Sequence, residues 1–344
     1  MKKLLLILLV ACCSNILLAQ EAFLVKNFKG ESVKEIESTT SGGNISVEVA
    51  APDQQRVEVF IWLSGRNKKD ASVSKEEIQK RLDELYDLNV SLSGNKLTAI
   101  AKPKQRNMNW KKGLSISFKI FVDKNVATNL TTSGGNIDLR GIAGEQDITT
   151  SGGNLTIDNV KGKLKGVTSG GNIDVRDADD DIDLTTSGGN IDANNCTGKI
   201  KLSTSGGNVV LENLSGDVNA TTSGGDVRGN DIKGDLSAHT SGGNVTLEGL
   251  ACNVTAGTSG GDVKVAIKEP GKFIRIGNSG GNIVLQLPAG KGYDFDLSAD
   301  KIKTEGLVNF SGKVEEDELK GNINGGGTKV TINAGGSNIM LTLK

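Results

Sequence analysis

The hexapeptide T-S-G-G-[ND]-[ILV] occurs eight times in this chain, with serines at Ser133, Ser151, Ser169, Ser187, Ser205, Ser223, Ser241 and Ser259, a spacing of 18 residues without insertion or deletion. A unit this short cannot bury a core alone, so it must stack on its neighbours, and a unit of Gly, Thr and Ile or Val stacks as strands. The expected fold is all-β: one chain wound as a β-solenoid (β-helix) of 18-residue rungs. Weaker copies at 41–45, 279–283 and 335–339 extend the expected coil before and after the regular array.

Counting from the serine as position 1, apolar residues fall at positions 5, 7, 10, 14 and 16 and threonine at 18. This alternation predicts two strands per rung, each with one buried face. Ile137, Leu155, Ile173 and Ile191 at position 5, and Leu164, Ile182, Ile200 and Val218 at position 14, should stack into aliphatic columns. Position 9 holds Gly141, Asn159, Asp177, Asn195, Asn213, Asp231 and Gly249, residue types that tolerate φ > 0, so a tight bend is expected there. Glycine at position 12 and the Ser-Gly-Gly closing the coil should supply backbone freedom at the other corners. Gly134, Gly152, Gly170, Gly188, Gly206, Gly224, Gly242 and Gly260 form the expected structural turn ladder. Asparagine at position 4 suggests an amide ladder along the axis, and threonine at position 18 a hydroxyl ladder.

Outward charges alternate in sign from rung to rung: Glu145, Lys163, Asp181, Lys199 and Asp217 at position 13, and Asp147, Lys165, Asp183 and Lys201 at position 15. Paired charges of this kind discourage register slip and argue against an electrostatic binding strip there. The alternation lapses after Asp217, which makes the weakly polar late face, Asn219, Thr221, Ser237, His239, Asn253 and Thr255, the candidate binding face.

Other chemistry is poorly supported by the residues. A phosphate loop needs G-x-x-x-x-G-K-[ST] opening a helix, and none occurs. The calcium-binding pattern G-G-x-G-x-D lacks its third glycine. The acids of 177–183 flank Ala178 and Ile182 at core positions, so they read as outward solvated residues. The one histidine, His239, stands at outward position 17 without a motif-fixed acid beside it. Cys196 and Cys252 are three repeats apart, roughly 14 Å along the axis, beyond disulfide reach. No catalytic, cofactor-binding or metal-ligating residue is expected.

A net charge of −1 and 3% aromatic residues exclude the basic footprint of a nucleic-acid binder and the aromatic girdles of a membrane barrel. Met1-Lys-Lys followed by an apolar run is an export signal, so residues 1–19 read as a signal peptide and the product as periplasmic, outer-membrane surface or secreted. Cleavage after Ala19 competes with a lipid anchor at Cys12, and no later segment is long and apolar enough to span a membrane. Residues 20–131 are expected to form an N-terminal β-rich cap, with a helix near 75–86 opened by a capping box at Ser74 and Glu77. The regular coil should occupy 132–287, and 288–344 should add C-terminal rungs and a cap, with 328–332 in a final strand pair. Trp110, beside Arg106, Lys111 and Lys112, reads as a packed indole, with an exposed ligand contact as the alternative.

The T-S-G-G-N-I copies, the early copy at Ser41 and the terminal G-N-I-N-G-G-G before Thr328 resemble the bacterial candidate-adhesin, β-strand-repeat family of unknown function (domain of unknown function 4097, toastrack), close to head-domain adhesins named for a G-I-N motif. The resemblance implies an envelope-exposed solenoid used for assembly or attachment, with no catalytic residues to carry over. The leading expectation is a non-enzymatic, adhesin-like scaffold for an envelope or host glycan or protein. The alternatives are a β-helix enzyme acting on polysaccharide and an ice- or crystal-surface binder. The second would need an unbroken outward Thr file, and position 17 interrupts Thr149, Thr185 and Thr221 with Val167, Ser203, His239 and Gly257.

Overall fold

The structure is a computed structural model that describes residues 21–64, 74–105 and 113–344; the expected signal peptide, Cys12 and Trp110 lie outside the described residues. Each regular rung supplies two strands. The first spans positions 5–8, as in β9 (Ile137–Arg140), β11 (Leu155–Asp158) and β13 (Ile173–Arg176); the second ends at or near position 18, as in β10 (Gln146–Thr150) and β12 (Leu164–Thr168). First strands pair in parallel with first strands and second strands with second strands, Leu155 facing Ile173 and Leu164 facing Ile182. Two parallel ladders result, wound around one axis as a β-solenoid.

The predicted columns are the core. Ile137, Leu155, Ile173, Ile191 and Val209 are fully buried at position 5, and Leu164, Ile182, Ile200 and Val218 are buried at position 14. Where one rung is small its neighbour fills the space: a Cβ on Gly166 would lie 2.6 Å from Leu184 Cδ2. Cys196 and Cys252 are buried and unpaired, and burial pushes both thiols up, that of Cys252 to about 12. They therefore pack as small apolar groups.

The corners separate two reasons for glycine. All seven residues at position 9 have positive φ, among them Asn159 at 53°, Asp177 at 51° and Gly249 at 68°. In Ser-Gly-Gly, by contrast, neither glycine needs positive φ. Position 3 needs glycine because stacked loops nearly touch: a Cβ on Gly189 would stand 2.0 Å from the Gly171 carbonyl oxygen. Position 2, the expected turn ladder, has ordinary clearance, 3.6 Å at Gly188 and 3.5 Å at Gly206.

The two polar ladders also differ from expectation in how they bond. In the regular rungs the asparagines bond to backbone rather than amide to amide: each side-chain oxygen accepts the backbone N–H of position 4 in the next rung, as Asn154 N–H donates to Asn136 Oδ1 at 2.9 Å and Asn208 N–H to Asn190 Oδ1 at 2.8 Å, whereas at the far end the Asn338 amide also donates to Asn282 Oδ1 at 3.2 Å. Only an acceptor is required, which explains why Asp226 and Asp262 serve equally in this rail. The rail starts at Ser117, whose hydroxyl accepts from Asn44 N–H, and reaches Asn338. Threonine hydroxyls at position 18 likewise do not bond one another. Thr186 donates to the Gly171 carbonyl of the previous rung at 2.8 Å and accepts from Gly189 N–H at 3.3 Å, stitching adjacent loops. Accordingly, Asn190→Asp should leave stability within a few tenths of a kcal/mol, whereas Asn190→Ala should cost about 1 kcal/mol, read as the difference in urea midpoint.

Both ends depart from chain order. Strands β2 (Glu35–Thr40) and β3 (Ile45–Val49) form a rung lying between β6 (Lys96–Pro103) with β7 (Leu114–Val122) on one side and β8 (Ala127–Thr132) with β9 on the other. At the far end β29 (Thr328–Ala334) and β30 (Asn338–Leu343) insert between β23 (Phe273–Asn278) with β24 (Ile283–Leu287) and β25 (Tyr293–Ser298) with β26 (Lys301–Glu305). Residues 328–332, expected as the final strand pair, therefore lie one rung inside the end. Antiparallel strands close the stack: β4 (Arg56–Leu63) on β7, β5 (Tyr86–Ser93) on β6, and β28 (Glu318–Ile323) on β25. Such strands cover the open rungs that a bare solenoid would expose. The helix α1 runs Lys75–Leu85, with Ser74 accepting Glu77 N–H at its start.

The rung-to-rung charges pair in part. Lys163 binds Glu145 at 2.7 Å and Lys201 binds Asp183 at 3.4 Å, whereas Lys199 forms no ion pair among the described residues. The Lys163 hydrogen bond holds the Glu145 carboxyl below its usual range. Exposed pairs of this kind contribute little to stability.

Candidate functional site

The candidate residues lie on the outward face of the second ladder, in strands β18 (Ser215–Thr221), β20 (Lys233–His239) and the second half of β21 (Val245–Thr258). Parallel register sets Asn219, Ser237 and Thr255 in one file, continued by Arg275 and Thr331. The neighbouring file is Thr221, His239, Gly257, Gly277 and Asn333. The fold thus brings Thr221, Ser237, His239 and Thr255 together. Asn253 is otherwise engaged: its amide donates to Asp235 at 2.7 Å and its oxygen accepts Lys272 N–H at 2.6 Å, clamping the corner at which the repeat lengthens. Thr221 donates to Ser203 at 3.2 Å.

Two glycines side by side change the relief of this face. Gly257 and Gly277 are register partners, so the second file loses two successive side chains between His239 and Asn333. The outcome is a shallow groove of about 550 Å³ whose lining includes His239, Thr255, Arg275, Thr331 and Asn333. A Cβ on Gly277 would meet no atom within 4 Å, so the groove is open there. The guanidinium of Arg275 lies 4.2 Å from the centroid of Phe273 and forms no ion pair among the described residues.

Arg275, Gly277, Thr331 and Asn333 were missed from sequence because they follow the point at which the 18-residue spacing lengthens, between Ser259 and Ser279. The signal was present: counting back two residues from the weak copies at Ser279 and Gly335 puts Gly277 and Asn333 at position 17. The supporting glycines Gly134 to Gly260 lie along the loop edge of the coil, apart from this floor.

His239 is half-buried, and burial pushes its imidazole below the usual value. The folded chain then holds this proton less firmly than the unfolded chain, so stability is complete above the unfolded value of about 6.5 and declines as pH falls through it. His239→Gln should lose less of its Tm than the parent between pH 7 and pH 5. Its file neighbours are Thr221 and Gly257, so no carboxylate stands beside it in register to orient the ring as a base.

Three acids of the stretch 177–183 have structural roles. Asp177 turns a corner with positive φ, Asp179 accepts from Thr197 and pairs with Lys161, and Asp183 pairs with Lys201. Among the described residues no group of three or more His, Cys, Asp or Glu is placed to hold a metal ion. No helix among them is long and apolar enough to cross a membrane.

Residues 176–342 match the toastrack DUF4097 family, a shorter span than the repeat itself covers. No curated relative matches the sequence. Similar solved structures, each named provisionally, include a cell adhesion protein from Clostridium sporogenes ATCC 15579, at 9% identity over 93% of this chain and 98% of that chain with a TM-score of 0.21. An adhesin (BF0245) from Bacteroides fragilis NCTC 9343 shares 12% identity over 93% and 96%, TM-score 0.23. A lipid binding protein from Parabacteroides distasonis ATCC 8503 shares 14% over 92% and 96%, TM-score 0.29. Likeness at this level carries no weight for function.

Proposed function

Residues 176–342 belong to the toastrack DUF4097 family, and on that premise we propose that the chain is a non-enzymatic scaffold of the cell envelope or surface, adhesin-like, which presents its second ladder to a glycan or protein partner. The observation that supports this reading most is the outward groove over Gly257 and Gly277, lined by hydroxyl, amide, His239 and Arg275 side chains on strands tied together by the loop stitching beneath. A preorganised surface loses little conformational freedom on binding, which favours recognition by many weak contacts. The register neighbours of His239 are Thr221 and Gly257 rather than the carboxylate that acid–base work calls for, and the Thr file needed for ice binding is interrupted by His239 and the two glycines.

The test is binding of the purified protein to bacterial and host glycans, matrix proteins and an envelope lysate, with product analysis of every glycan it binds. The reading expects saturable binding with the glycan recovered intact. Release of shortened fragments would establish an enzyme instead.

A further inference from the structure

The groove carries more chemical information than a general polar surface. It holds one cation, Arg275, and that cation is held in place. Its guanidinium carbon lies over the Phe273 ring, 4.2 Å from the centroid, a cation–π contact that uses none of its N–H donors on a protein oxygen. Its five N–H donors make no hydrogen bond or ion pair among the described residues, which leaves them available to an acceptor. Among the described residues no carboxylate takes that role. In its own file the nearest acid is Asp296, separated from Arg275 by Thr331 and therefore about 10 Å away across two strand spacings.

Around the guanidinium stand hydroxyls and an amide: Thr255 and Thr331 on either side in the same file, and Asn333 across the floor. His239 forms the opposite wall, three strand spacings from Asn333, about 14 Å. The floor between them is bare backbone at Gly257 and Gly277, which lets a ring-shaped ligand lie flat against the strands. A chain of phosphates would call for several cations along its track; a single guanidinium among hydroxyls suits a ligand with one planar anionic group and many hydroxyls. Guanidinium and carboxylate match bidentately.

We infer that the groove over Gly257 and Gly277 binds a carboxylate-bearing sugar unit of an acidic glycan, with Arg275 taking the carboxylate and Thr255, Thr331 and Asn333 the ring hydroxyls. This rests on the proposed binding role and narrows it to one ligand class and one place. It requires neither catalysis nor metal, and it sets Arg275 and Gly277 as the residues that determine specificity.

The experiment compares the parent protein with Arg275→Gln and Gly277→Leu by calorimetry. The probes are galacturonate, glucuronate, mannuronate and sialate oligosaccharides, each beside its methyl-esterified form, which keeps the hydroxyls and removes the charge. Both positions are exposed, and a Cβ on Gly277 meets no atom within 4 Å, so both variants are expected to keep the parent Tm, which is measured beside the binding. The expected result is binding of at least one acidic probe, at least tenfold weaker for its ester and for Arg275→Gln, and lost in Gly277→Leu. Arg275→Gln should bind the ester as the parent does. Failure of all four acidic probes overturns the inference, as does equal binding by parent and variants. If the protein still captures another glycan or an envelope protein, unaffected by Gly277→Leu, the scaffold reading survives and only the groove assignment falls. If it captures nothing, both fall.

Discussion

Gly189→Ala should destabilise the coil by about 3 kcal/mol or more, while its neighbour Gly188→Ala should be nearly neutral. The new methyl at 189 would stand 2.0 Å from the Gly171 carbonyl oxygen and 2.5 Å from its carbon, and both are backbone atoms fixed by the rung beneath. Relief requires the two loops to separate. Separation would stretch the Thr186 bonds to the Gly171 carbonyl and Gly189 N–H and the Asn190 N–H bond to Asn172. Overpacking against well-packed side chains typically costs 1–3 kcal/mol, and a backbone obstacle cannot change rotamer to give way. At Gly188 the same methyl meets its nearest atom at 3.6 Å, ordinary contact, in a backbone conformation alanine adopts freely. The two substitutions share chemistry and are adjacent in sequence, so their difference isolates the stacking distance. Urea midpoints of the two variants provide the check; similar losses would contradict the close approach.

Val218→Asp should cost about 4 kcal/mol or more, because Val218 is fully buried between Ile200 and Leu236 in the second ladder. A carboxylate there has no partner, and an unpaired buried charge is among the few mechanisms with effects of that size. Lys199→Ala, one residue from the register partner of Val218, should cost little, since Lys199 is exposed and forms no ion pair among the described residues. In a stack where each rung touches only its neighbours, the damage at 218 should also divide the unfolding transition, with the early rungs melting apart from the late ones. Equal melting of the two variants would sink the rung assignment.

Much of this architecture is readable from the repeat because the core and corners are local properties. Alternation fixes which side chains face inward, and Asn or Asp at position 9 signals positive φ directly; Asn159, Asp177, Asn195, Asn213 and Asp231 all have it. Bond direction is a different matter. Asparagine at position 4 can donate or accept, and nothing within one repeat shows that its oxygen meets a backbone N–H, although Asp226 and Asp262 in the same slot were the clue. The ends were harder still. The copy at 41–45 identifies a rung but not its neighbours, since any rung fits against any other. Its placement outside β8 and inside β6 depends on long connections that carry no repeat. The groove was half legible for the same reason: His239 and Thr255 lie in the array, whereas Arg275, Thr331 and Asn333 come from rungs after the spacing changes.

On the proposed reading the regular rungs are interchangeable spacers and the late face of the second ladder binds the partner. That reading is tested most directly by excising residues 151–204, three whole rungs, which joins Thr150 to Ser205 and preserves the repeat register. The measurement is the affinity of this shortened protein for whichever glycan or protein the parent binds, alongside its circular dichroism. A folded β-protein with parental affinity is the expected result. A folded protein that no longer binds would place the site on the early rungs, and a chain that fails to fold would show that the rungs do not stack independently.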